Sequence, residues 1–197
     1  MKAAMSTQVE QLARIFVETS FHWSEEPVYP LASGVLSKYY IDCKMALSYP
    51  EARKIVGELV FEQMRSKSFD AVGGLALGAY PIALAVSDAF YERGIAVRAF
   101  VVRKEPKVHG LRKYIEGDVK AGDRVLVVDD VITTGDSTIQ AIKRCEENQL
   151  TVVKAIGLID RQEFDGAQNI SKSGVEFSAL LTRQNLSNLS TLLPQSQ

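Results

Sequence analysis

The stretch VLVVDDVITTGDST, Val125 to Thr138, decides how this chain folds. Its first four residues are β-branched or leucine and do not alternate with polar ones, the pattern of a strand covered on both faces, as in a parallel sheet. Asp129 and Asp130 are expected at the carboxyl end of that strand. Thr133, Thr134, Gly135, Asp136, Ser137 and Thr138 then bring backbone N–H groups and hydroxyls to the start of a helix. Unpaired amides and the positive end of a helix dipole converge at such a point, which makes an anion site. A phosphate suits the helix start, whereas the two acids would repel a second phosphate and accept hydrogen bonds from neutral hydroxyls. A ribose 5-phosphate satisfies both demands. A plain βα turn with a Thr/Ser cap is the simpler reading, but a cap does not require two acids at the end of an all-apolar strand. Neither a Walker P-loop nor GxGxxG occurs in the chain.

Working outward, the sequence alternates between strand and helix signals after an N-terminal preface. Val9, Leu12, Ile15 and Phe16 form one apolar stripe of a helix over 8–19. Pro27, Pro30 and Ser33-Gly34 punctuate a short extended region ending in Tyr39, Tyr40 and Ile41. Pro50 suits the first turn of a helix over 51–66. Strands are expected near 71–74, 97–102, 125–128 and 152–159, with helices near 81–93 and 137–148. This alternation predicts an α/β fold, a central parallel sheet flanked by helices, with ligands beyond the carboxyl ends of the strands. No internal repeat, low-complexity tract or linker interrupts it, so 1–197 reads as one domain.

Composition narrows the function classes. The 197 residues suffice for one domain with a substantial core, and 46% hydrophobic and 24% charged residues are those of a globular protein. A formal charge of -1 offers no general attraction to nucleic acid or to an anionic membrane. Two cysteines and two histidines, without ligand spacing, predict neither a disulfide framework nor a structural zinc. No signal-peptide pattern opens the chain and no apolar run reaches membrane-spanning length. The expectation is a cytoplasmic enzyme that binds neither nucleic acid nor membrane.

Four more segments fall at strand ends or beside them. GGLALGAYPIA, Gly73 to Ala83, has glycines expected to let the backbone turn and approach an anion closely. VRKEPKVHG, Val102 to Gly110, continues to Arg112 and Lys113 and makes the one dense basic cluster of a near-neutral chain; Pro106 and Gly110 argue against a regular element there. Such concentrated charge suits an acidic leaving group. LASGVLSKYYID, Leu31 to Asp42, carries Ser33, Gly34 and the pair Tyr39-Tyr40, which is compatible with simple strand packing or with a flat aromatic wall. IDRQE, Ile159 to Glu163, places Arg161 where it could fork onto a carboxylate or an imide edge.

These segments, in this order, resemble the orotate phosphoribosyltransferases, a type I phosphoribosyltransferase family, over about residues 21–181. The resemblance implies binding of phosphoribosyl diphosphate (PRPP) by Arg103, Lys104, Lys107, His109, Asp129, Asp130, Val131, Ile132, Thr133, Thr134, Gly135, Asp136 and Ser137, with a pyrophosphate loop around 75–79. It implies orotate binding by Thr133, Arg161, Ser33, Gly34, Tyr39 and Tyr40, and catalytic roles for Lys107, Asp130 and His109. Mg²⁺ would arrive on the PRPP diphosphate without protein ligands. A small N-terminal hood from about 20–45 and a mobile catalytic loop over about 103–117 complete the picture, the loop closing over the partner subunit of a homodimer. Several positions depart from the family pattern. Ala32 and Gly78 stand where some members carry lysine, Asp136 replaces the usual second glycine of the phosphate loop, and Leu111 and Arg112 replace small residues. A purine-type phosphoribosyltransferase would share 125–138 but would not need the hood, the Lys107 loop and Arg161. A PRPP-sensing regulator would be expected to show a separate basic face.

Overall fold

The computed structural model describes residues 7–30, 34–106 and 114–191. In chain order its elements are α1 (Thr7–Thr19), β1 (Phe21–Trp23), β2 (Tyr29–Pro30), β3 (Leu36–Ser37), β4 (Tyr39–Ile41), α2 (Cys43–Leu47), α3 (Pro50–Met64), β5 (Ala71–Leu75), α4 (Ala79–Tyr91), β6 (Arg98–Val102) and β7 (Ile115–Glu116). There follow β8 (Arg124–Ile132), α5 (Asp136–Glu147), β9 (Thr151–Asp160), α6 (Gly166–Lys172), β10 (Phe177–Thr182) and α7 (Arg183–Ser190).

Six strands form one sheet in the order β10-β9-β8-β5-β6-β7, parallel except for the edge strand β7, which runs antiparallel to β6. The expected parallel sheet flanked by helices is therefore present, with β10 and the β7 edge added to the four strands legible in the sequence. Val125 to Val128 are all fully buried. Leu126 and Val128 belong to one apolar layer with Phe16, Met64 and Ile82, and Val125 and Val127 to the other with Ala141, Ile142 and Ile170. Two-sided burial is the physical reason the run does not alternate. Residues 21–30 and 34–41 contribute two antiparallel pairs, β1 with β4 and β2 with β3, outside the main sheet.

The chain leaves β5 toward β6 on one side, while β8 pairs on the other side of β5. The loops that follow β5 and β8 thus diverge, and a crevice opens between them at the point where strand order reverses, the usual ligand position in open α/β sheets.

One expectation is corrected here. Asp129 and Asp130 do not follow strand β8 but lie within it: the pairing with β9 continues through Asp129 opposite Gly157 and Ile132 opposite Asp160. Backbone pairing is indifferent to the side chains becoming acidic, provided each carboxylate finds partners. Gly73 and Gly74 lie inside β5, in agreement with the strand expected near 71–74, so the turn toward α4 begins only after Leu75. A Cβ on Gly74 would collide with the Val128 carbonyl oxygen, and one on Gly73 with Phe100. These glycines allow close strand packing, and of the three only Gly78 reaches the crevice. Gly74→Ala should therefore destabilise the protein by about 1–3 kcal/mol through overpacking against backbone that cannot yield, read as a lower midpoint in equilibrium urea unfolding.

Candidate active site

Strand β8 delivers its two acids to opposite faces of the sheet. Asp129 turns toward α5, where its Oδ2 accepts a hydrogen bond from Thr138 Oγ1 at 2.7 Å and its Oδ1 accepts one from the Asp130 amide at 3.0 Å. Only 5% exposed, the carboxyl is pushed up to about 7, chiefly by burial, with the Asp130 charge adding to the rise and the Thr138 hydrogen bond opposing it. Asp130 turns the other way, and its Oδ1 accepts from the Val131 amide at 2.9 Å. Its carboxylate lies directly over Gly78 at the start of α4, where any Cβ would overlap it. The Cys43 thiol of α2 donates to the Asp130 carbonyl at 3.7 Å, and burial first, then the Asp130 charge, hold that thiol well above its ordinary value. Cys43 therefore behaves as a packing group and not as a nucleophile.

Beyond Ile132 the chain makes the tight loop Thr133-Thr134-Gly135. Gly135 adopts φ +85°, a conformation glycine accepts without strain, and serves as N-cap of α5 with no side-chain cap. The Asp136 amide makes only a long bond, 3.4 Å, to Thr134 Oγ1, and the amides of Ser137 and Thr138 are left to an outside acceptor. Asp136 and Ser137 are exposed. The Asp136 carboxylate accepts from Thr134 Oγ1 at 2.8 Å, so this acid is folded back against the loop and does not point away from it. From behind, Asn169 of α6 donates to the Thr134 carbonyl at 3.1 Å. Val131 and Ile132 turn their side chains into apolar layers, which leaves only backbone atoms of these two for a ligand.

Arg161, at the end of β9, is 5% exposed and joins the sheet to the hood. Its Nη2 donates to Ser37 Oγ at 2.9 Å and to the Tyr39 carbonyl at 3.1 Å, while its Nε donates to Glu163 Oε2 at 3.1 Å. Among the described residues its Nη1 has no partner. Beside it a cavity of about 430 Å³ is bordered by Ser37, Tyr39, Glu163 and Phe164. The two tyrosines do not form one wall, because neighbours in a strand face opposite ways. Tyr39 stacks on Phe21 and lies under the Arg183 guanidinium, whereas Tyr40 stacks on Tyr29 and His22 on the outer side. Gly34 is exposed, with φ +82°.

A second cavity, of about 580 Å³, has Ala76 and Leu77 on one side and Arg103, Lys104 and Glu116 on the other. Arg103 is folded onto the base of the basic segment: its Nη1 is 3.6 Å from Glu116 and its Nε donates to the Glu105 carbonyl at 3.3 Å. Its backbone amide bonds to the Tyr114 carbonyl at 2.7 Å, extending the β6–β7 pairing, and the Tyr114 ring lies 3.5 Å beneath the Arg144 guanidinium of α5. Lys107 and His109, with Leu111 and Arg112, lie outside the described residues, as do Ala32 and Ser33.

The structure therefore brings Asp129, Asp130, Gly78 and the start of α5 together at the strand-order reversal, with Arg103 and Lys104 on one flank and Arg161 on the other. The model of the phosphoribosyl transferase domain matches residues 44–175. The orotate phosphoribosyltransferase of Aquifex aeolicus is 41% identical over 177 residues, 90% of this chain and 96% of that protein. The chain belongs to the orotate phosphoribosyltransferase family. Solved structures agree: the Mycobacterium tuberculosis member superposes with a TM-score of 0.79 at 33% identity, covering 91% of this chain and 98% of that one. A further structure of the same Mycobacterium enzyme, in complex with PRPP, gives a TM-score of 0.73 at 30% identity over 92% of this chain and 93% of that one.

Several residues that shape this family site carry no separate signal in the sequence. Ser37, Glu163 and Arg183 surround Arg161 only because the hood folds against β9 and β10. Asn169 braces the loop from α6, a short helix absent from the expected elements. Thr138 lies inside the quoted stretch, yet its contact with Asp129 depends on how α5 packs on β8.

The position of Asp129 has a thermodynamic consequence. The folded protein binds its proton at a higher pH than the ordinary value of 3.8, so the stability this group contributes is fully present below 3.8 and is lost as pH rises to about 7. Thermal midpoints of the unliganded protein and of Asp129→Asn, compared across that range, should diverge in favour of the variant as pH rises. A constant difference would contradict the assignment.

Proposed function

We propose that this protein transfers the 5-phosphoribosyl group from PRPP to orotate, giving orotidine 5'-monophosphate and pyrophosphate. The observation that carries the reading is the pairing of Asp129 and Asp130 with an uncapped helix start at the strand-order reversal. The α5 amides and the hydroxyls of Thr133, Thr134 and Ser137 receive the 5-phosphate. The two acids accept hydrogen bonds from the ribose hydroxyls and favour the positive character that the ring gains as the diphosphate departs. Arg161, held by Ser37, Tyr39 and Glu163, keeps Nη1 for the orotate carboxylate. An orotate ring nitrogen gives up its proton to solvent and bonds to the anomeric carbon as the bond from that carbon to the diphosphate oxygen breaks. No protein nucleophile takes part.

Arg103, Lys104, Lys107 and His109 balance the charge that collects on pyrophosphate, and Lys107 or His109 supplies a proton to it. Among the described residues no three His, Cys, Asp or Glu side chains converge as a metal cage. A Mg²⁺ would be held by diphosphate oxygens and need little from the protein. Bound there, the ion would neutralise the leaving group. A homodimer belongs to the same reading: Tyr80, Leu84 and Tyr91 lie exposed along α4, an apolar face that a second copy would cover, with the 103–117 loop closing across the partner's site. The chain acts as one catalytic domain with a hood. Two free, buried cysteines accord with a reducing, cytoplasmic setting, and among the described residues no helix is long and apolar enough to cross a membrane.

The loss of orotate ultraviolet absorbance in the presence of PRPP and Mg²⁺ tests the reading. PRPP-dependent loss is expected, with Lys107→Ala lowering turnover by about a hundredfold or more. Consumption of a purine base in place of orotate would overturn it. Asp136→Asn should lower the KM for PRPP by about two- to fivefold, since a carboxylate beside the helix start competes electrostatically with the phosphate; initial rates across PRPP concentrations measure this.

A further inference from the structure

Thr138 is the third residue of α5, the helix whose start receives the phosphate. It is 1% exposed, and its hydroxyl reaches back nine residues to Asp129 Oδ2 at 2.7 Å. A helical threonine ordinarily donates to the carbonyl one turn earlier. Here that bond is given up for a carboxylate on the neighbouring strand. The other oxygen, Oδ1, is held by the Asp130 amide at 3.0 Å. With a donor fixed on each oxygen the carboxylate cannot rotate, and its remaining lone pairs point in set directions. The Asp130 carboxyl also lies against it, and that contact favours its protonated form, so Thr138 is the side chain whose hydrogen bond favours the ionised one.

We propose that Thr138 is a positioning residue that joins the ribose-binding acid to the phosphate-binding helix, so that the protein recognises the two halves of ribose 5-phosphate as one rigid unit. The proposal rests on the functional reading above and deepens it. Through this one bond, a shift of α5 relative to β8 moves the acid and the phosphate cradle together. The hydroxyl also favours the ionised acid, the form able to accept from two ribose hydroxyls, against the burial that disfavours it. Among the described residues the titratable groups around Asp129 are Asp130 on the same strand and the Cys43 thiol of α2. Neither supplies positive charge, which leaves the hydroxyl as the side chain that favours ionisation.

The test uses the full chain with Thr138→Val, which keeps the side-chain shape and removes the donor, and Thr138→Ser, which restores it. Thr138→Ala replaces the valine variant should that one fail to fold. Titration calorimetry with ribose 5-phosphate and with inorganic phosphate reads binding, and kcat/KM for PRPP is followed against pH. The valine variant should bind ribose 5-phosphate about tenfold or more weakly, the loss expected of a hydrogen bond to a charged group, with inorganic phosphate within about twofold of the parent protein. The acid limb of its kcat/KM profile should move to higher pH, and serine should recover both properties. Equal losses for the two ligands, an unmoved acid limb, or a serine variant as weak as valine would each overturn the proposal. A parent protein that binds ribose 5-phosphate but does not consume orotate would sink the functional reading and leave this inference standing.

Discussion

The parallel pairing of β8 with β9 continues past the end of the apolar run, and the site depends on that continuation. Because the ladder runs to Ile132, the backbone at Asp129 and Asp130 is fixed by sheet hydrogen bonds and not by loop conformation. A strand sends neighbouring side chains to opposite faces, so one acid meets the helix that follows β8 and the other the loop that follows β5. The crevice exists because those two connections leave in opposite directions at the reversal of strand order. Rigid placement of this kind is what preorganised electrostatics requires, since groups already in position need not reorganise as charge develops.

Burying a carboxylate for that purpose is unfavourable, and the fold offsets the penalty locally. Asp129 receives a main-chain amide and a hydroxyl, Asp130 a main-chain amide, and the glycine at position 78 removes the side chain that would displace the second acid. Arg161 is treated alike: a nearly buried guanidinium is tolerated because Glu163, Ser37 and the Tyr39 carbonyl share its donors. That arrangement also welds the hood to the sheet, so the orientation of the arginine is set by contacts more than a hundred residues away in sequence.

Much of this is legible in the amino-acid sequence itself. The non-alternating run 125–128 announces a strand buried on both faces, and the loop chemistry after it announces an anion site, since both signals are local. The misplaced features are those governed by partners distant in sequence. Gly73 and Gly74 read both as the end of a strand and as part of a turn, because nothing local reveals the Val128 carbonyl and the Phe100 ring against them. Tyr39 and Tyr40 read as a pair until strand alternation and two different stacking partners separate them. Strand β10, FSALLT, gives little signal because it is short and does not alternate cleanly, with its pairing supplied by β9. The Thr138 contact needs the packing of α5 on β8, which no spacing rule encodes.

The main-chain bond between Arg103 and Tyr114, with the Arg144 stack beneath Tyr114, moors both ends of the segment that carries Lys107. A chain tethered at both feet behaves as a bucket handle: whatever path its middle takes, the ends stay a hydrogen bond apart. Ordering a segment held in this way restricts far fewer conformations than ordering a free tail of the same length, because much of the closure entropy was already spent when the sheet edge formed. The short antiparallel strand β7, which looks like a minor ornament on a parallel sheet, is in these terms the mounting of the handle.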